Sequence, residues 1–241
     1  MTAGPREFRP LDPRRATYSH IPEFTKILAD HRTKSLTFDR WTATMIRTRT
    51  LAILIFDEVE ILDFCGPFEV FSVANEFSAT PAFNVVTVAE TTGPIRTRGG
   101  LRVTPHHRLA DCPKPDLLLV PGGQGTRTEM NNPVLIDWIK SVSADLELVL
   151  SVCTGALLLA KAGLLDGLEA TTHHGAIDLL RQTAPKTIIH ADRRFVDNGR
   201  VICSAGIAAG IDMSLHVVGK LAGQEIAHET ARQMEYPLPP Q

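Results

Sequence analysis

Three loops of this chain carry residue types that can do covalent chemistry together. The first is Ser-Val-Cys-Thr-Gly-Ala at 151–156. A β-branched run over 147–152 leads into Cys153, and a small-residue helix start, Thr-Gly-Ala-Leu-Leu-Leu, follows it. A strand, a tight turn and a helix with a thiol at the corner form a nucleophile elbow, which aims its nucleophile out above a sheet. The N–H groups and positive potential of the helix start favour a thiolate and any oxyanion formed on it. An inert core thiol is the competing reading, because free cysteine is among the most buried residue types.

The second loop spans 57–66, Asp-Glu-Val-Glu-Ile-Leu-Asp-Phe-Cys-Gly. Asp63 lies between apolar neighbours there. Poor solvation raises a carboxyl pKa, and a protonated acid can donate to a thiolate or a reacting atom. Alternatively, Asp63 caps a helix opened by Gly66-Pro67. Asp57, Glu58 and Glu60 read as solvated surface. The third loop is Pro-Gly-Gly-Gln-Gly at 121–125. Gly122 and Gly123 permit close backbone approach, and their N–H groups can bind an oxyanion together with the N–H of Thr154. Ordinary turn chemistry explains the same glycines equally well. No Gly-Lys-Ser/Thr follows, so this is not a phosphate loop. His173, after Ala-Thr-Thr, is a candidate base or orienting group, or a structural histidine, and its geometry to the thiol decides which.

These loops need a frame that gathers them. Residues 51–56 form a continuous apolar run of strand length, as a central parallel strand requires. Further strands are expected at 83–89, 116–120, 147–152 and near 170–172. A hairpin is expected over 96–104, and strands at 187–190 and 195–203, the latter turning at Asn198-Gly199. Helices are expected from Gly66-Pro67 to about 77, and at 133–144, 154–163, 175–182, 208–221 and 224–233. Strands alternating with helices make a parallel sheet covered on both faces, with its site at the carboxyl ends of the strands.

Residues 1–45 read differently, as an irregular Arg-, Pro- and Thr-rich extension with a short helix near 21–31. The domain is expected over 46–241, and Met45 reads as the functional start. Residues 1–49 hold ten Lys/Arg and five Asp/Glu, whereas the rest holds 15 and 22. The globular part is thus mildly acidic, and the net charge of −2 points to neither nucleic acid nor an anionic membrane as partner. No run is long enough to span a bilayer, and no secretory signal opens the chain. A cytoplasmic protein with free thiols is expected. The four cysteines include no C-x-x-C pair, and His106-His107 and His173-His174 lack metal-site spacing, so neither metal nor cofactor is expected.

The ordered set of Ile-Leu-Asp-Phe-Cys-Gly-Pro-Phe-Glu-Val-Phe, Val-Pro-Gly-Gly, Ser-Val-Cys-Thr-Gly-Ala, Ala-Gly-Leu-Leu-Asp-Gly-Leu-Glu-Ala-Thr-Thr-His and Ala-Gly-Ile-Asp-Met is far more specific than its parts. From about 50 to 236 the chain resembles the ThiJ/PfpI superfamily. It looks most like the isonitrile hydratase branch and the matching domain of AraC-type regulators. The resemblance implies a class I glutamine amidotransferase-like, flavodoxin-like three-layer α/β sandwich with a mostly parallel central sheet. It also implies a homodimer acting on a small molecule, a nucleophile at Cys153 and an acid partner at Asp63. Gly123 and Thr154 would supply oxyanion contacts. The implied reaction adds water to an isonitrile, giving an N-substituted formamide through a cysteine thioimidate.

Some positions depart from that pattern. His174 stands where the branch usually has Trp. Cys65 stands where it has Thr, and Cys203-Ser204-Ala205-Gly206 replaces a glycine-richer segment. Two alternatives stay open: an aldehyde-handling, glyoxalase-type enzyme, and a sensor in which Cys153 binds or is oxidised without turnover. A transcription factor is not expected, because the chain ends at Gln241 without a helix-turn-helix region. Neither a protease nor an amidotransferase triad is expected, since Thr154 stands where those have histidine.

Overall fold

A computed structural model describes residues 47–237, all within one compact unit, Met45–Gln241. The extension expected over 1–45 and its short helix lie outside the described residues. Strand β1 is Arg49–Leu54, and helix α1 is Ile61–Ala74. Strand β2, Phe83–Ala89, is followed by three two-residue strands: β3 (Ile95–Arg96), β4 (Arg102–Val103) and β5 (His107–Arg108). Then come β6 (Leu117–Val120), the single turn α2 (Thr126–Glu129), α3 (Pro133–Ser143), β7 (Leu148–Val152) and α4 (Gly155–Lys161). The remainder is β8 (Glu169–Ala170), α5 (Ile177–Thr183), β9 (Ile188–Ile189), β10 (Phe195–Asp197), β11 (Val201–Ser204), α6 (Ala209–Ala222) and α7 (Gln224–Gln233).

The main sheet has seven strands in the order β10-β11-β7-β6-β1-β2-β5. All its pairings are parallel except β10 with β11. Helices α1, α6 and α7 pack together against one face, and α3, α4 and α5 cover the other. This is the expected flavodoxin-like three-layer α/β sandwich. Double coverage explains why β6 and β7 are buried at every position: a parallel strand with helices on both faces has no solvent side. From β1 the chain winds outward to β2 and β5, then returns to β6 on the other side. The reversal opens a crevice at the carboxyl ends of β1 and β6, where open α/β sheets bind ligands.

The hairpin expected over 96–104 is the β3–β4 pair, joined at Gly100 with φ +85°. The β10–β11 hairpin turns at Asn198-Gly199, with Gly199 at φ +88°. Helix α1 differs from expectation. It begins at Ile61, so Pro67 lies inside it and Asp63 in its first turn. Pro67 has no N–H to give to the carbonyl of Asp63, four residues back. The start is set by long-range bonds: Val59 bridges to Gly123, and the Glu60 N–H donates to the Gly122 carbonyl at 2.9 Å.

Candidate active site

Each of the three candidate loops follows a different strand. Asp63 follows β1, Gly122 and Gly123 follow β6, and Cys153 follows β7. Cys153 has φ 55°, in the left-handed region. A non-glycine residue there costs of order 1–3 kcal/mol and persists only where its surroundings fix it. Here the Cys153 N–H donates to the carbonyls of Ser204 and Ala205 at 3.2 and 3.1 Å, and its carbonyl accepts from Thr172 Oγ1 at 2.7 Å. Glu58 and Ile207, with φ 61° and 54°, share this strained region. Of these, Ile207 lines the same cavity as Cys153, and such strain recurs at functional sites.

The side chain of Asp63 is fully buried. Its Oδ2 accepts the Gly122 N–H at 3.0 Å, while Oδ1 has no well-directed donor. Burial pushes its pKa from 3.8 up to about 7, against the lowering effects of the Cys153 thiol and the Gly122 N–H; the charge of Glu60 adds to the rise. Burial also pushes Cys153 up to about 12, helped by the negative charge of Asp63 and opposed by the Thr154 N–H and hydroxyl. Near neutral pH the pair therefore titrates as a unit. A proton on Asp63 removes the nearby charge that disfavours the thiolate.

Gly122 and Gly123 are fixed by close approach. A Cβ on Gly122 would meet Thr154 N at 2.5 Å, Thr154 Oγ1 at 2.6 Å and Asp63 Oδ2 at 2.9 Å. Gly123 has φ +130°, and its Cβ would meet the Glu58 carbonyl oxygen at 2.4 Å. Their N–H groups do not point to a shared oxyanion hole with Thr154, as the sequence suggested. Gly122 holds Asp63, and the Gly123 N–H donates to Thr154 Oγ1 at 3.0 Å. The Thr126 hydroxyl lies 3.1 Å from the same Thr154 oxygen. The glycines thus aim the acid and the threonine, leaving the Thr154 N–H at the sulfur.

His173 lines the same cavity as Cys153. Its Nδ1 accepts the Gly175 N–H at 3.1 Å, which assigns the ring proton to Nε2. Burial and the charges of His174, Arg127 and Arg98 hold its pKa below the usual value. The ring is a neutral donor, and no hydrogen bond joins it to Cys153 among the described residues. Of the readings the sequence left open, this geometry favours an orienting donor over a base acting on the thiol. His174 is exposed, with its ring centroid 4.2 Å from that of His173.

The cavity above Cys153 has a volume of about 180 Å³. Glu60 borders it and pairs with Arg98 at 2.5 Å, so Glu60 is not plain solvated surface. Arg98 and Arg127 also line it. Neither arginine is marked by local sequence pattern, although Arg127 follows the glycine loop by two residues. Cys65 does not reach the cavity. Two positions after Asp63 on α1, it projects about 200° around the helix. All four cysteines are free.

Residues 49–220 match the DJ-1/PfpI family. The chain belongs to the DJ-1/PfpI family. Among members of known name, it is 36% identical over 191 residues to isonitrile hydratase of Pseudomonas putida, covering 79% of this chain and 80% of that one. It is 29% identical to the HTH-type transcriptional regulator CdhR of Pseudomonas aeruginosa over 75% of this chain, spanning only 53% of the regulator. A solved THiJ/PfpI family protein from Pseudomonas syringae superposes with a TM-score of 0.74 at 27% identity, covering 89% of this chain and 86% of that one. Among the described residues of this DJ-1/PfpI domain, no group of three or more His, Cys, Asp and Glu is placed to hold a metal ion, and no helix is long and apolar enough to cross a membrane.

Proposed function

We propose that the chain is a cysteine-dependent enzyme that adds water to isonitriles, a lyase needing neither metal nor cofactor. The observation that carries the reading is the buried Asp63–Cys153 pair, with the acid raised to about 7. The 36% identity to a protein named isonitrile hydratase supports it.

The reaction starts when Cys153 passes its proton to the carboxylate of Asp63, which converts the singly ionised pair into thiolate and neutral acid. Cys153 Sγ attacks the terminal isonitrile carbon, forming the C–S bond, while Asp63 delivers its proton to that carbon. The product is a thioimidate, R–N=CH–S, with Asp63 ionised. Asp63 then takes a proton from an incoming water whose hydroxyl adds to the carbon, and passes that proton to nitrogen. The tetrahedral adduct collapses: its hydroxyl proton returns to Asp63, the C–S bond breaks, and the N-substituted formamide leaves. Thiolate and acid are regenerated. Thr154 assists through its N–H and hydroxyl. Covalent catalysis here divides one hard addition into easier steps.

The proposed unit is a cytoplasmic homodimer of the 46–241 domain. Appearance of formamide from an alkyl isonitrile tests the reaction. Absence of turnover by folded, reduced protein would favour aldehyde substrates, or a sensor role of the kind the similarity to a regulator suggests.

A further inference from the structure

We infer that the cavity over Cys153 accepts small electrophiles bearing a carboxylate, and that Arg127 is the residue that reads that charge. This rests on the reading of Cys153 as a nucleophile toward bound electrophiles.

Small-molecule sites are mostly apolar, with a few placed polar groups. This cavity departs from that. Ile207 is the one aliphatic side chain among the described residues that line it. A purely hydrocarbon substituent would find little to bury against. The volume of about 180 Å³ corresponds to about six waters of liquid, enough for a short substrate with one polar group beyond its reacting carbon.

The charges bordering the cavity are unequal. Glu60 and Arg98 neutralise each other in their ion pair at 2.5 Å. His173 is uncharged, with Nδ1 occupied by Gly175. Asp63 lies buried behind the thiol and bound to Gly122. Arg127 remains, and among the described residues no carboxylate pairs with it. Its Nη1 donates to the Gly123 carbonyl and to Thr126 Oγ1, both at 3.2 Å. Those bonds fix the guanidinium against the loop that positions Thr154, and they leave its other donors free. A held guanidinium with spare donors matches a carboxylate in charge and fork geometry. The fields of Arg127 and Arg98 both reach His173 inside the cavity. The His173 Nε2–H adds a neutral donor.

Alkylation of Cys153 tests this without any isonitrile. Iodoacetate and iodoacetamide differ chiefly in charge; in both reactions Sγ bonds to the methylene carbon and iodide leaves. Peptide-level mass spectrometry reads Cys153 apart from the other thiols. The iodoacetate-to-iodoacetamide rate ratio should exceed that of free cysteine by about tenfold, the scale on which a charged cleft concentrates an opposite charge. Arg127→Gln should return the ratio toward that of free cysteine, and Arg127→Lys should keep most of it. A ratio equal to free cysteine, one insensitive to Arg127→Gln in a folded variant, or failure of both reagents to label Cys153 overturns the inference. A high ratio without isonitrile turnover would uphold anion selectivity and reject the hydratase reading. Isonitrile turnover with an ordinary ratio would do the reverse.

Discussion

The Gly122 N–H holds Asp63 Oδ2 at 3.0 Å, tying the first turn of α1 to the loop that follows β6. One backbone bond thereby fixes a buried acid beside a thiol that follows a third strand. The acid remains near its titration point, because this bond and the thiol offset only part of the cost of burial.

That balance makes stability depend on pH. The folded-state pKa of Asp63 is about 7 against 3.8 in the ordinary state, so the folded protein binds the proton more tightly. The stabilisation from this proton is complete below pH 3.8 and is lost as pH rises through about 7. The pKa difference sets an upper bound of about 4 kcal/mol. Urea unfolding between pH 4 and 8 should show wild type losing stability relative to Asp63→Asn across this window. Parallel curves for the two proteins would contradict the raised pKa.

The same pair governs thiol reactivity. Wild-type Cys153 should alkylate faster as pH rises through about 7, when the pair loses its first proton, and faster again toward about 12. Asp63→Asn should lack the first step, and its thiol should titrate below the wild-type value because the neighbouring charge is gone. If it also removes general acid–base catalysis, kcat should fall by about 10²–10⁴. Rates of iodoacetamide labelling against pH check the first statement, and formamide production checks the second.

Much of this arrangement is legible in the sequence, for reasons particular to its elements. Residues 51–56 read as a strand because double-sided burial demands a continuous apolar run, and 147–152 read as one although Glu147 and Ser151 interrupt the apolar residues. The turn at Cys153 reads as an elbow because small residues follow a strand directly. The start of α1 is not legible. Gly66-Pro67 looks like a helix opening because proline favours the first turn, yet the bonds that start the helix at Ile61 come from Gly122 and Gly123, about 60 residues away in the chain. Glu60 looks like surface because Arg98, its ion-pair partner, lies 38 residues on. Thr126 and Arg127 show no pattern of their own, and their roles arise only from what the glycine loop touches.

Thr154 connects the loops through its hydroxyl, which accepts from Gly123 and lies against Thr126 Oγ1. Thr154→Val keeps the shape but strands those buried partners, at about 1–3 kcal/mol. Thr154→Ser should retain most stability and turnover, whereas Thr154→Val should lower kcat more than it raises KM. Thermal melting and steady-state kinetics of the two variants check this.

Gly122→Ala should be among the most damaging single-methyl additions to the site. The new Cβ would overlap Thr154 N, Thr154 Oγ1 and Asp63 Oδ2. Displacing these groups by about 1 Å should cost about 10²-fold in turnover. The variant should also melt at a lower temperature. Unchanged melting and turnover would show that the loop does not position the pair.

The most direct test of the central claim is formamide production from a small isonitrile, neutral or carboxylate-bearing, by reduced wild-type protein and by Cys153→Ala. The account predicts turnover by wild type that is abolished in a folded Cys153→Ala. Turnover that survives the substitution, or none from folded, reduced wild type, would contradict it.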